Sequence, residues 1–321
     1  MNTLMNQHLS MFPGDSFNSL PELLVLMEHG TSQQSAEAAH QCFDQLLFEP
    51  LDDDCAQVMV SLLIDLLLKG DQWVAKAVIL NRMTEFLIRE WDVQDVFGMT
   101  APYGPAQVRQ TEGSSVWRRS MSNRLTDLLE LMHDEESTAV QAIYAVHLLQ
   151  SDDERIETEL LQLTLNTSSS HVRLNGLMAL ADYRRRTAKT FNPSIAFGQM
   201  NHHPLYEEMR SVSMGIVSRD GGMRDMDMEA LLRGIAMPRA DRMVFPWANG
   251  SPAACCAQAA RMGMRELNWN ETQMIQWWKE ALSHAIKSHK DGCKVVTWKS
   301  VMPKWSGMKS ACSGIGMPRC W

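Results

Sequence analysis

Along most of this chain apolar residues recur at every third or fourth position and almost nowhere at every second, which restricts it to a helical fold. Ser35–Leu47 sets Ala36, Ala39, Phe43 and Leu46 at those spacings. Asp53–Lys69 and Gln72–Trp91 follow as strong helices, with Gly70 between them as a C-terminal stop. The same periodicity predicts helices over Leu20–Met27, Val116–His133, Glu136–Leu149, Asp152–Leu165, Ser169–Arg185, Leu205–Val217 and Asp227–Ile235. Ser251-Pro252 opens another that ends near Glu266, with serine as the cap and proline at the first helical position. A last one runs from Asn270 to about Lys290. Alternating Val/Ile/Thr runs, the mark of strands, do not recur, and only Cys293–Trp298 reads as a short one. The expected fold class is all-α.

The helices come in pairs with short joints, broken by three longer loops at Phe97–Ser115, Thr187–Pro204 and Pro238–Ser251. Loops of that length are usually functional or disordered rather than plain connectors. The expected organisation is one elongated domain over 1–290, followed by a basic tail at 291–321 rich in Trp, Lys and Met. A hydrophobic fraction of 45% supports a sizeable core. The longest apolar run, Val58–Leu68, is interrupted by Ser61 and Asp65 and is too short for a bilayer. Met1–Gly14 has no basic residue ahead of an apolar stretch, so no secretory signal is read and a cytoplasmic location is expected. The seven cysteines are scattered and form no Cys-x-x-Cys, which argues against a disulfide scaffold or zinc knuckle. Adjacent Cys255-Cys256, in an Ala-rich helix, reads as two buried thiols.

Thr138–Ala145 aligns with Val172–Ala179 at an offset of 34, so that Ala142 lies over Gly176 and Ile143 over Leu177. Small residues at such positions admit a neighbouring helix, and large ones fill the layer beneath. The stretch Ser169-Ser170-His171-Val172-Arg173-Leu174-Asn175-Gly176-Leu177-Met178-Ala179-Leu180-Ala181 resembles the second helix of a HEAT repeat, where a polar turn is followed by Val-Arg, a small residue and Ala-Leu. Gly176 departs from that family's usual alanine, at a cost of about 1 kcal/mol in helix propensity. The resemblance covers Ser137–Arg186 and implies an irregular α-α superhelix, a HEAT/armadillo-like solenoid with long interrupting loops. It is nearly silent about chemistry, because the family includes scaffolds, transport factors, lyases and base-excision enzymes.

Charge is unevenly spread. Residues 1–160 carry 9 Lys and Arg against 26 Asp and Glu, and residues 161–321 carry 21 against 12. An acidic half suits a basic partner and repels nucleic acid. Three acidic clusters, Asp52-Asp53-Asp54, Asp134-Glu135-Glu136 and Asp152-Asp153-Glu154, each come immediately before a helix. Carboxylates there cap free N–H groups and complement the helix dipole. If the turns lie along one edge of a solenoid, they also add up to a ridge that receives a basic protein. These nine residues are the expected partner-binding set.

His202-His203-Pro204, near Glu207 and Glu208, is the most metal-like group, but adjacent loop histidines rarely hold an ion alone, and no metal or cofactor is expected. No Gly-x-Gly-x-x-Gly, Walker loop, Gly-x-Ser-x-Gly or His-Glu-x-x-His occurs. A non-enzymatic protein-binding module of bacterial immunity or adaptor type, neutralising a basic partner, is therefore expected. The alternative is a HEAT-like nucleic-acid-binding or base-excision enzyme, with Asp220 or Glu271 as its acid. It would use Arg184, Arg185, Trp277, Lys294, Trp298, Lys304 and Trp305, because lysines interleaved with aromatics neutralise and stack a strand.

Overall fold

The computed structural model describes residues 19–48, 52–69, 73–89, 115–190, 206–217 and 225–290. Of these, 81% lie in thirteen α-helices and none in a strand. Most of the loops Phe97–Ser115 and Thr187–Pro204, together with Gly70, His202-His203, Asp220, Cys293–Trp298 and the tail 291–321, lie outside the described residues. The chain divides into two compact units, Met1–Lys189 with Asp241–Pro246, and Thr190–Ala240 with Trp247–Trp321.

The first unit contains α1 (Leu20–His29), α2 (Ser32–Phe48), α3 (Asp53–Lys69), α4 (Trp73–Arg89), α5 (Ser115–Asn123), α6 (Leu125–Leu131), α7 (Glu136–Leu149), α8 (Glu154–Asn166) and α9 (Ser170–Arg186). Local chemistry sets their ends. Thr31 and Gln34 cap α2 reciprocally: the Gln34 N–H donates to Thr31 Oγ1 at 3.3 Å and the Thr31 N–H to Gln34 Oε1 at 2.9 Å. Asp153 caps α8 by accepting from Arg155 N, and Ser169 caps α9 by accepting from Val172 N. The helix predicted over Val116–His133 is broken at Arg124 into α5 and α6. Arg124 leaves helical geometry, with φ −108° and ψ 24°, while its guanidinium donates to Asp65 at 2.7 Å, to the Ser61 carbonyl and to Asp127. Three acceptors, two of them on α3, hold that side chain where a continuous helix would carry it away.

Within this unit α2, α4, α7 and α9 pack side by side in that order, with α1 against α2, α6 against α7, α8 against α9, and α3 against α5 and α6. Helices α4 and α7 run parallel, since Lys76 reaches Asp134 and Asn81 reaches Gln141. Helices α7 and α9 are parallel too, since Glu136 meets Ser169 and His147 meets Asp182. Helix α7 is buried continuously from Thr138 to Leu149, and α9 from Leu174 to Tyr183, as expected of helices with neighbours on several sides. Gly176 explains its own presence: a Cβ there would stand 2.9 Å from Cγ2 of Thr164 on α8. Arg173, at the start of α9, turns back to α8 and donates to the carbonyls of Thr164 and Thr167, which the end of that helix leaves unpaired.

The second unit contains α10 (Tyr206–Val217), α11 (Asp225–Gly234), a short 3-10 turn at Trp247–Asn249, α12 (Pro252–Glu266) and α13 (Glu271–Lys290). Helices α10, α11 and α12 pack mutually, and α13 packs on α11. Gly234 allows α11 to approach α12, because a Cβ there would clash with Cys256 Sγ. Cys255 and Cys256 are both fully buried, as the Ala-rich sequence suggests.

Candidate functional site

Three helix ends meet around one cleft in the first unit: the start of α7, the end of α8 and the start of α9. The cleft has a volume of about 680 Å³ and is lined by Met132–Glu136 on one side and by Gln162, Leu163, Asn166–Ser169 and Val172 on the other. The acidic cluster Asp134-Glu135-Glu136 thus forms one wall, facing a wall of amides and hydroxyls.

The three carboxylates are not equivalent. Asp134 accepts from Lys76 Nζ at 2.6 Å and from the Glu135 N–H at 2.8 Å, so its charge is already balanced. Glu136 accepts the hydroxyl proton of Ser169, a neutral donor that leaves its charge in place. Glu135 is exposed and, though it stands at the N-cap of α7, makes no side-chain capping bond. Among the described residues neither Glu135 nor Glu136 has a cationic partner, so the cleft presents their negative charge. His133, also on its wall, lies 3.0 Å from Glu159.

The other two clusters lie elsewhere. A helix of the length of α7 rises roughly 20 Å, and Asp134–Glu136 precedes it while Asp152–Glu154 follows it. The three turns do not form the single acidic edge anticipated from sequence, because consecutive turns alternate between opposite ends of antiparallel helices. Asp52 serves as the N-cap of α3, accepting from Cys55 N at 2.8 Å, and this bond holds its carboxyl below the usual range. Asp53 lies 3.6 Å from Arg119, and Asp54 is exposed. Asp153 pairs with Arg155 at 2.7 Å and is likewise held low by it. Asp152 pairs with Arg186 at 2.9 Å, and Glu154 is exposed in the first turn of α8.

The described basic and aromatic positions, Arg184, Arg185 and Trp277, are engaged within the chain. Arg184 donates to Glu157 at 2.9 Å. Arg185 and Arg186 both donate to Asp182, at 2.8 and 3.0 Å. Asp182 is wholly buried and also faces His147, whose Nδ1 lies 3.3 Å away, and Gln150. Burial alone would push the Asp182 carboxyl up, but His147, Arg185 and Arg186 outweigh it and hold it well below the ordinary range. In the second unit Trp277 is buried and its indole N–H donates to the Met228 carbonyl at 3.2 Å. Lys294, Trp298, Lys304 and Trp305 lie outside the described residues.

Sequence reasoning missed four of the buried polar residues of α7 and α9: Gln141, His147, Asn175 and Asp182, at most 3% exposed. Their signal was present as polar residues inside apolar runs such as Ala139-Val140-Gln141-Ala142-Ile143. Among the described residues no group of three or more His, Cys, Asp or Glu is arranged to hold a metal ion, and no helix is long and apolar enough to cross a membrane. The fold and cleft define an all-helical protein with an acidic recess between helix ends. No family model, no curated protein and no solved structure matches the chain.

Proposed function

We propose that this chain is a protein-binding helical-repeat module whose acidic cleft receives a lysine- or arginine-bearing segment of a basic partner, in the manner of an immunity or adaptor protein. The observation that carries this reading is the pair of carboxylates, Glu135 and Glu136, which have no cationic partner among the described residues and stand beside a wall of neutral hydrogen-bonding groups. A cation entering there finds acceptors on both walls, and the acidic first half of the chain draws it in from a distance. The repeat reading, an irregular HEAT-like α-α superhelix, is supported by the parallel α4, α7 and α9 and by the offset of 34 that relates α7 to α9.

The test compares the immobilised chain with its Glu135→Lys/Glu136→Lys variant. Each is exposed to lysate of the source cell at about 0.05 M and about 0.5 M salt, where the screening length falls from about 14 to about 4 Å. The reading predicts basic proteins held by the unaltered chain at low salt, released at high salt and lost from the variant. Partners retained equally by both chains would refute the assignment of the cleft.

A further inference from the structure

The short segment Asp241–Pro246 belongs to the first unit although about fifty residues of the second precede it. It is a self-contained turn. The Asp241 carbonyl accepts from Val244 N at 3.2 Å and Phe245 N at 2.9 Å, and the Asp241 carboxylate accepts from Met243 N at 2.9 Å. Such a turn uses its first carbonyl internally and leaves the following ones pointing outward, as at the end of a helix.

Those outward carbonyls are met by side-chain amides from the helices beneath. Gln141 Nε2 on α7 donates to the Arg242 carbonyl at 2.6 Å, and Asn175 Nδ2 on α9 donates to the Val244 carbonyl at 3.0 Å. Asn81 Nδ2 on α4 donates to Gln141 Oε1 at 3.3 Å, which orients the glutamine amide towards the turn. Gln141 and Asn175 are wholly buried and stand 34 residues apart, at the same position of the two aligned helices. A buried amide is costly unless paired, and both of these are paired with a turn's backbone. Arg242 adds charge complementarity, lying 3.6 Å from Glu85 on α4, and Phe245 is buried. Recognition through backbone carbonyls specifies the shape of the turn more than its side chains. The seat is therefore defined by a geometry that another chain can present.

We infer that the face carrying Asn81, Glu85, Gln141 and Asn175 is a peptide seat that Asp241–Pro246 fills in cis. In trans it accepts a turn of the same chemistry: an aspartate that starts it, an arginine next and a phenylalanine at its end. This surface is distinct from the acidic cleft and holds whether or not the cleft binds a basic partner.

The probe is a fluorescein-labelled peptide with the sequence of Ala240–Trp247, titrated by anisotropy against two full-length chains. One is unaltered, and in the other Asp241–Pro246 is replaced by glycine and serine at equal length. Binding to the replaced chain is expected to be at least about tenfold tighter, because its seat is empty. Adding Asn175→Leu removes the hydrogen bond to the Val244 carbonyl, together with the one to His171 within α9, and is expected to weaken binding about tenfold. A replaced chain that keeps its helical circular dichroism yet binds no better than the unaltered one overturns the proposal. If the replaced chain loses its helical signal, hydrogen exchange on the unaltered chain decides. Amides of Val244 and Phe245 exchanging about a hundredfold faster than those of Ala142–Val146 show that the turn leaves its seat locally. Equal protection would make the turn part of the core and overturn the proposal.

Discussion

Replacing Gly176 by alanine sets two effects of opposite sign against each other. Alanine is the better helix former, by roughly 1 kcal/mol at a helix-interior position. Against that, the new Cβ would stand 2.9 Å from Cγ2 of Thr164, closer than real Cβ contacts allow. Thr164 cannot yield cheaply. It is buried and β-branched, and its hydroxyl donates to the Leu161 carbonyl at 2.9 Å. Rotating the methyl away breaks that bond and leaves a buried hydroxyl unpaired, at about 1–3 kcal/mol, and separating α8 from α9 instead costs about 1–3 kcal/mol as well. The steric term wins, and Gly176→Ala is expected to destabilise the chain by about 1 kcal/mol. Urea titration followed by far-ultraviolet circular dichroism measures it. The decisive control is Thr164→Ser, which removes the methyl and keeps the hydroxyl. In that background Gly176→Ala is expected to stabilise, by up to about 1 kcal/mol, giving a coupling of about 2 kcal/mol. If Gly176→Ala stabilises the chain with Thr164 in place, close approach of the two helices is not the reason for glycine.

Other expectations follow from buried and capping groups. Asp182→Ala leaves His147, Arg185 and Arg186 without their buried carboxylate and is expected to cost about 3–5 kcal/mol in urea stability. Because the folded state holds this carboxyl below its unfolded range, its contribution is complete above about pH 4 and is lost as pH falls further. The urea midpoint is therefore expected to drop on acidification below that point, and less steeply in Asp182→Asn. Burial pushes the thiols up, Cys42 to about 12 and Cys255 and Cys256 far above their ordinary value, while burial and the carboxylate of Asp52 raise Cys55 to about 11. Iodoacetamide labelling with peptide mapping is expected to modify these four only after unfolding. Thr31→Ala removes half of the reciprocal cap of α2 and is expected to cost about 1 kcal/mol.

The helices were legible because their signal is local. Apolar spacing placed α3 and α7 with the observed ends and α9 within one residue of them. The break at Arg124 was not legible, since its cause is a pair of acceptors on α3, about sixty residues earlier in the chain. The acidic clusters were recognised as caps, and Asp52 and Asp153 cap as expected. Their grouping was not recoverable from spacing, because the direction of each helix decides which turns share an end. Of the three acidic clusters only Asp134-Glu135-Glu136 borders the cleft, and nothing in sequence marks Gln162, Asn166 and Thr167 as its companions across the recess.

The sequence alone determined that this protein is helical, where most helices begin, and that charge is divided between its halves, all of which depend on residues within a turn or two of one another. Tertiary structure decided what the odd residues are for. Gly176 is a contact point between helices, Arg184–Arg186 are neutralised by Glu157, Asp182 and Asp152, and Gln141 and Asn175 hold a turn from far along the chain. Each of those roles requires a partner distant in sequence, and distance in sequence is what periodicity and local motifs do not carry.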